Sequence, residues 1–375
     1  MNLFTNKEAA VPEPGATAEL RIMSGDGPVT RTVLRAPPRD ADPSEVPVID
    51  ISPIFDPSIA ARRRVAEQLR CACTNTGFFY VANHGIPADV LEAAHAASLA
   101  FFRQPRAVKE RASSDRSRVF NGYQAPRSQR INPFESVDVR ESFSWKYDPE
   151  YDDAVADPAA IPNEVARCLV TEDFLWDATA NLPVFKAAIL EYWRSCLRLA
   201  RALVRSFALS LHLPEDFFDA KFSHPDATFC VNYYPPLKQV KSPTDEDDEV
   251  SIGSHTDFQL FTMLWQDSTG GLQVLNKQGQ WIKAKPIDGT FVVNIADYMQ
   301  RITNDLYVST VHRVQNWSGN ERISMPFFFG FNLNESCDVL NSCVPEGEKK
   351  KYQEISCRDW VERRAKGMNQ IASKD

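Results

Sequence analysis

Apolar residues recur along this chain with two different periods, and the period changes near residue 229. Upstream, they fall mostly three to four positions apart, as on one face of a helix; downstream, they come in short runs broken by turn residues, as in strands. Val46-Pro47-Val48-Ile49-Asp50-Ile51 predicts a short first strand. Asp56-Pro57 then makes a cap and first turn for a helix running to about Thr76, where Gly77 stops it. Phe78-Phe79-Tyr80-Val81 predicts a second strand, ended by Asn83-His84-Gly85-Ile86-Pro87, and a further helical stretch follows to about Phe102. Between 112 and 170 the signals weaken to loops with short strands, among them Glu141-Ser142-Phe143-Ser144-Trp145. A long helix is predicted from Pro183 to Leu211. Ile189, Trp193, Cys196, Ala200, Leu203, Val204 and Phe207 form its apolar face, and Lys186, Arg194, Arg198, Arg201 and Arg205 lie on its other faces. That division describes a half-buried scaffold helix and argues against a membrane span.

Downstream, strands are predicted at Phe229–Tyr234, Phe258–Trp265, Leu272–Leu275, Trp281–Ala284, Thr290–Ile295, Val308–Val314 and Ile323–Phe331. Many short strands at this spacing imply a double-sheet jelly roll or barrel. A last helix is predicted over about 355–371. Residues 1–44, with six prolines and little periodicity, read as a loosely ordered extension.

Composition narrows the classes. The chain has 375 residues, 43% of them hydrophobic and 25% charged, which is enough to bury a substantial core. With 42 basic and 50 acidic residues the net charge is −8, so neither nucleic acid nor an anionic membrane is an expected partner. The run Asp245-Glu246-Asp247-Asp248-Glu249 reads as a solvated loop. Among the eight cysteines there is no C-x-x-C pair, and all eight read as reduced, in a cytoplasmic protein. The first fifteen residues lack the apolar core of a signal peptide, and no apolar stretch is long enough to span a bilayer.

The candidate chemistry lies in two strand-like segments. One reads Gly253-Ser254-His255-Thr256-Asp257, and the other, with its histidine 57 residues beyond His255, reads Ser309-Thr310-Val311-His312-Arg313-Val314. In an extended strand, side chains i and i+2 share a face, so His255 and Asp257 are predicted to grip one ion together. His312 would complete two imidazoles and one carboxylate on one face of a metal, a set with open positions that suits non-haem Fe(II) and oxygen chemistry. Arg322 and Ser324 share strand parity and are expected to face the interior, where a guanidinium needs a partner and matches a carboxylate.

Those residues sit within a wider pattern. Val46-Pro47-Val48-Ile49-Asp50, the stretch from Gly77 to Ile86, Asn232-Tyr233-Tyr234-Pro235-Pro236, Gly271-Leu272-Gln273-Val274 and Asn294-Ile295-Ala296-Asp297 look like signatures of one family. From about 46 to 340 the chain resembles the iron- and 2-oxoglutarate-dependent dioxygenase superfamily, in the branch typified by isopenicillin N synthase and the plant flavonoid dioxygenases. The resemblance implies a mainly β fold with flanking helices (α+β) around a double-stranded β-helix (jelly-roll) core. It implies a flexible extension over 1–44, an N-terminal α/β region over 45–170 and a scaffold helix region over 171–222. A catalytic jelly roll over 223–340 and a C-terminal helical segment over 341–375 would complete the chain.

Carried over residue by residue, the resemblance makes His255, Asp257 and His312 the metal ligands. Arg322 and Ser324, with Tyr234 and the weaker candidate Asn232, would hold 2-oxoglutarate. Phe328, Cys230 and Ile252 become candidate substrate contacts, while Phe120, Tyr123 and Phe143 fall in segments that form the pocket's lid in relatives. The implied cofactor is Fe(II), with 2-oxoglutarate and O2 as co-substrates and ascorbate as an accessory reductant. The implied reaction is hydroxylation, desaturation or ring rearrangement of a small organic molecule in secondary-metabolite biosynthesis, by a monomer or weak oligomer. The alternative is a 2-oxoglutarate-independent iron oxidase or cyclase of the isopenicillin N synthase or ACC oxidase type, since the anchor residues are shared. A non-catalytic barrel would be expected to have lost a ligand or the arginine, and none is lost. Two departures from the common pattern, Ala296 and Asp305 where glycine is frequent, bear on turn geometry alone.

Overall fold

The computed structural model describes residues 15–236, 250–316 and 318–369. The acidic run Asp245–Glu249 lies outside them. Its strands are β1 (Thr17–Ser24), β2 (Gly27–Leu34), β3 (Arg39–Asp40), β4 (Val48–Asp50), β5 (Phe78–Ala82), β6 (Gly122–Gln124), β7 (Glu141–Lys146) and β8 (Ala227–Tyr234). They continue with β9 (Ile252–His255), β10 (Phe261–Gln266), β11 (Leu272–Leu275), β12 (Trp281–Lys283), β13 (Thr290–Ile295), β14 (His312–Val314) and β15 (Arg322–Phe329). The helices are α1 (Ile59–Asn75), α2 (Ala88–Phe102), the short α3 (Arg106–Lys109), α4 (Asn163–Ala166) and α5 (Phe174–Ala178), the long α6 (Phe185–Ser210), then α7 (Asp297–Ile302) and α8 (Cys357–Asn369).

Two sheets form the core of the fold. One has eight strands in the order β4-β5-β13-β10-β15-β8-β7-β6, and the other has five in the order β3-β12-β11-β14-β9. The period-two pattern of β5 and β13 explains the layering. Phe79, Val81, Phe291, Val293 and Ile295 join the main core with Val65, Leu69 and Cys73 of α1 and Ile189, Trp193 and Cys196 of α6. Their neighbours Phe78, Tyr80 and Val292 point the other way and pack on Leu272, Val274, Ile282 and Ala284 of the smaller sheet. Helices therefore cover one face of the large sheet and the small sheet covers the other. This is the mainly β, helix-flanked double-stranded β-helix expected from the sequence. No helix among the described residues is long and apolar enough to cross a membrane. All eight cysteines are free.

Residues 17–34, expected to be loosely ordered, instead pair as the antiparallel hairpin β1–β2, turning between Ser24 and Gly27. Ile22 anchors it in a small cluster with Leu275, Trp281 and Val311 of the five-stranded sheet. The prolines obscured an alternation that Leu20, Ile22, Val29 and Val33 do carry. The two unusual turn residues also behave differently from each other. Ala296 sits at φ −113°, which any residue adopts. Asp305 occupies the left-handed region at φ 66° and is held there by hydrogen bonds to its carboxylate from Tyr352 Oη at 2.6 Å and Gln300 Nε2 at 3.0 Å.

Candidate metal centre and co-substrate anchor

Strand pairing brings the two histidines together, since β14 runs antiparallel to β9 with His312 opposite His255. Their rings lie 4.3 Å apart, and one ligand atom from each of His255, Asp257 and His312 falls within 4.8 Å of the others. His255 Nδ1 is 2.8 Å from the Gly253 carbonyl and His312 Nδ1 is 3.1 Å from that of Thr310. A carbonyl oxygen can only accept, so each Nδ1 carries a proton, and Nε2 is the ring nitrogen left to face a ligand. Those Nε2 atoms stand 3.6 and 3.7 Å from Asp257 Oδ1. Burial, and the neighbouring His255, push His312 down to about 4, which keeps its imidazole neutral.

Asp257 reaches the group by a different route from the one its spacing suggests. β9 ends at His255 and β10 begins at Phe261, so Asp257 lies on the connecting loop and not on a continuous strand. Its position is set by side chains from the large sheet: Thr262 Oγ1 donates to Asp257 Oδ2 at 2.5 Å and Asn294 Nδ2 donates to the same atom at 2.8 Å. With Oδ2 so occupied, Oδ1 is left on the side of the imidazoles. Burial alone would raise this carboxyl, but the positive charge that His312 and His255 carry when protonated, with the Thr262 hydroxyl, holds it well below the usual carboxylate range. Two imidazoles and one ionised carboxylate are the donor set that a divalent iron requires.

The second group is built on β15. Arg322 is 0% exposed, with Nη1 donating to Ser324 Oγ at 3.1 Å, Nη2 donating to Gln266 Oε1 at 3.2 Å and Cζ 4.7 Å from the Tyr234 ring centre. Among the described residues, Arg322 Nε and the buried Tyr234 hydroxyl have no hydrogen-bond partner. A guanidinium buried among neutral groups carries a desolvation cost of several kcal/mol, which a carboxylate ligand would offset. The unused donors and the planar fork fit the distal carboxylate of a 2-oxo diacid. Thr262 and Gln266 share a face of β10, so the supports of the metal group and of the arginine are about 13 Å apart at ~3.3 Å per residue.

Other expected residues are distributed as follows. Phe328 lies opposite Thr262 across the β10–β15 pair and is only partly buried, whereas Phe327 and Phe329 are fully buried in the main core. Ile252 packs with Tyr234 and Val314. Asn232 accepts a hydrogen bond from Arg140 Nη1 at 2.6 Å, and Cys230 Sγ donates to the same oxygen at 3.6 Å, so the amide N–H remains as what Asn232 can offer a ligand. Tyr123 and Phe143 belong to the main core, and Phe120 is exposed, so this trio does not form one wall. Reasoning from sequence did not single out Thr262, Gln266 or Arg140. The first two are the polar residues of an otherwise apolar strand and share its parity.

An interior that pairs a two-histidine, one-carboxylate set with a buried arginine that has no counter-ion among the described residues is what a non-haem iron oxygenase needs to use a 2-oxo acid. That is the class the fold and the site define. Comparison with known proteins agrees. Residues 225–331 match the model of the 2OG-Fe(II) oxygenase superfamily, and residues 46–166 match that of the N-terminal region of non-haem dioxygenases in morphine synthesis. A 2-oxoglutarate-Fe(II) type oxidoreductase (ppzC) of Metarhizium majus is 55% identical over 370 residues, covering 98% of this chain and 99% of its own. Another, hxnY of Emericella nidulans, is 34% identical over 85% of this chain and 89% of its own. A Neurospora crassa protein crystallised with 2-oxoglutarate and 5-formyluracil superposes with a TM-score of 0.69 at 26% identity, covering 88% of this chain and 99% of its own. The chain belongs to the 2OG-Fe(II) oxygenase superfamily. It is an iron- and 2-oxoglutarate-dependent dioxygenase, with Fe(II) as cofactor and 2-oxoglutarate and O2 as co-substrates.

Proposed function

We propose that His255, Asp257 and His312 hold the iron, that Arg322, Ser324 and Tyr234 hold the distal carboxylate of 2-oxoglutarate, and that the enzyme oxidises a small organic molecule in a biosynthetic tailoring step. The observation that carries this reading is the buried Arg322, whose neighbours among the described residues are neutral. Bound here, iron would couple the oxidative decarboxylation of 2-oxoglutarate to succinate and CO2 with oxidation of a substrate C–H bond. The protein's own part is to position and to shield. The backbone carbonyls of Gly253 and Thr310 fix the imidazole tautomers, Thr262 and Asn294 turn Asp257, and Ser324 and Gln266 aim the guanidinium. Asn232 would add an N–H to the co-substrate, steadied by Arg140. Phe328, Cys230 and Ile252 would line the substrate side.

Support for a small-molecule substrate comes from the relatives: the matching N-terminal model is named for morphine synthesis, and the Neurospora crassa structure holds a free pyrimidine base. Eight free cysteines fit a reducing, cytoplasmic setting. The 2-oxoglutarate-independent alternative has no support in the names of these relatives. The test is to incubate the Fe(II)-loaded protein aerobically with a panel of small metabolites, with and without 2-oxoglutarate, and to measure succinate and substrate mass together. Product that forms only with 2-oxoglutarate, one succinate per oxidised substrate, is expected. Product at the same rate without 2-oxoglutarate would sink this mechanism.

A further inference from the structure

The loop that carries Asp257 has no strand partner, so something else must hold its backbone. Between the end of β9 and the start of β10, the carbonyls of Thr256, Asp257 and Phe258 lack ladder hydrogen bonds, yet each is taken. Asp297 N, at the start of α7, donates to the Asp257 carbonyl at 3.0 Å, and Tyr298 N donates to that of Phe258 at 3.1 Å. The other donors come from the far end of the chain. Arg364 Nη2 donates to the Thr256 carbonyl at 3.0 Å and to Thr256 Oγ1 at 3.2 Å, while Trp360 Nε1 donates to the Phe258 carbonyl at 2.7 Å.

Residues 360 and 364 are one helical turn apart and so share one face of α8. They grip the two carbonyls that flank Asp257. Arg364 is only 4% exposed and does more than bridge a loop. Its Nη2 pairs with Asp297 Oδ2 at 3.1 Å, its Nη1 donates to the Met23 carbonyl of β1 at 2.7 Å, and its Cζ lies 4.4 Å from the Phe258 ring centre. The β1–β2 turn presses on the other anchor: a Cβ at Gly25 would fall 2.0 Å from the Trp360 ring. Asp297 is itself tied to the metal loop by Thr256 Oγ1 at 3.1 Å and to the segment before His312 by Ser309 Oγ at 2.7 Å. One buried guanidinium therefore joins the N-terminal hairpin, the C-terminal helix and the loop carrying Asp257, and through Asp297 it is tied to the segment that leads into His312.

We propose that α8 is part of the metal site: Arg364 and Trp360 are positioning residues that set Asp257 in register with His255 and His312, so that metal affinity depends on the C-terminal helix. The proposal rests on the reading of those three residues as the ligands. An Asp257 backbone free to rotate would present its carboxylate in many orientations, and the ordering would have to come from the binding energy of the ion.

The test measures Co(II) binding to folded, full-length, metal-free protein through the visible absorption of the bound ion, with circular dichroism and thermal melting alongside. Arg364→Lys keeps a cation beside Asp297 but, with a single nitrogen, cannot span the Met23 and Thr256 carbonyls as Nη1 and Nη2 do, and Trp360→Phe keeps the ring but removes the donor. Arg363→Met, at the exposed neighbouring position, is the control, and Asp257→Ala checks the ligand assignment separately. Arg364→Lys and Trp360→Phe should each raise the Co(II) dissociation constant about 10- to 100-fold in protein that remains folded, with Arg363→Met unchanged. Should Arg364→Lys not fold, Trp360→Phe carries the test alone. A lowered Tm with an unchanged Co(II) dissociation constant would reduce both residues to plain structural roles and overturn the proposal. Undiminished Co(II) binding by Asp257→Ala would overturn the ligand assignment beneath it instead.

Discussion

Arg322 is fully buried, and its contacts among the described residues are a serine, a glutamine and the face of a tyrosine. Replacing such a charge with an apolar side chain of similar length should cost the unliganded protein little, because the desolvation it carries disappears with it. Arg322→Met is therefore expected to melt at or above the wild-type temperature without ligand. Added 2-oxoglutarate should raise the wild-type Tm but leave that of Arg322→Met unmoved, since a ligand at 100 times its dissociation constant stabilises by about 2.7 kcal/mol. Equal shifts in both proteins would show that the co-substrate binds elsewhere. Thr262→Val keeps shape but removes a donor to Asp257 Oδ2, and it should weaken Co(II) binding about 10- to 100-fold with little change in Tm. His312 contributes to the pH dependence of the metal-free protein. Its folded value of about 4 lies below the unfolded one, so the unfolded chain binds the extra proton between them. His312 should thus make stability fall as pH drops from about 6.5 toward 4, read as a urea midpoint that decreases more in the wild type than in His312→Gln, and equal decreases would contradict a buried neutral His312. At this scale the candidate ligand types are legible in sequence from their spacing, and the Arg-x-Ser parity from strand alternation, which fixes which side chains share a face. The donors around Asp257 are not, because Thr262 and Asn294 meet it only after β10 and β13 have paired.

Elements follow the same division between local and long-range causes. The long helix, the strand beginning at Phe78 and the short strands after residue 229 could be read from periodicity. The helix stop at Gly77 was readable too, but its reason is wider than helix ending. Gly77 sits at φ 68°, and an added Cβ would lie 1.9 Å from the Val308 carbonyl oxygen. Gly77→Ala combines a left-handed alanine, at about 1–2 kcal/mol, with a collision against backbone that must shift to relieve it. We expect it to destabilise by at least about 2 kcal/mol by urea denaturation, and to loosen metal binding as well, because β5 pairs with the strand that carries Asn294. A midpoint unchanged from wild type would show that the Val308 segment is not held where it lies. The β1–β2 hairpin carries an apolar alternation that the prolines obscured, but its place in the fold, like the early end of β9, is not written in local sequence. Both are decided by what packs against them: Trp281 and Trp360 for the hairpin, α7 and α8 for the loop at Asp257.

Across the whole molecule, the two sheets carry separate parts of one site. The small sheet brings the histidines together through β9 and β14, and the large sheet supplies the supports of Asp257 and the buried arginine through β10, β13 and β15. Helices on the outer face of the large sheet leave its inner face free for this work. The most direct test of the account is anaerobic addition of 2-oxoglutarate to the Fe(II)-loaded protein, followed by visible absorption. A metal-to-ligand charge-transfer band should appear in the wild type, vanish in Asp257→Ala, and require far more 2-oxoglutarate in Arg322→Met. No band in the wild type, or one that forms equally well in Arg322→Met, would contradict the site described.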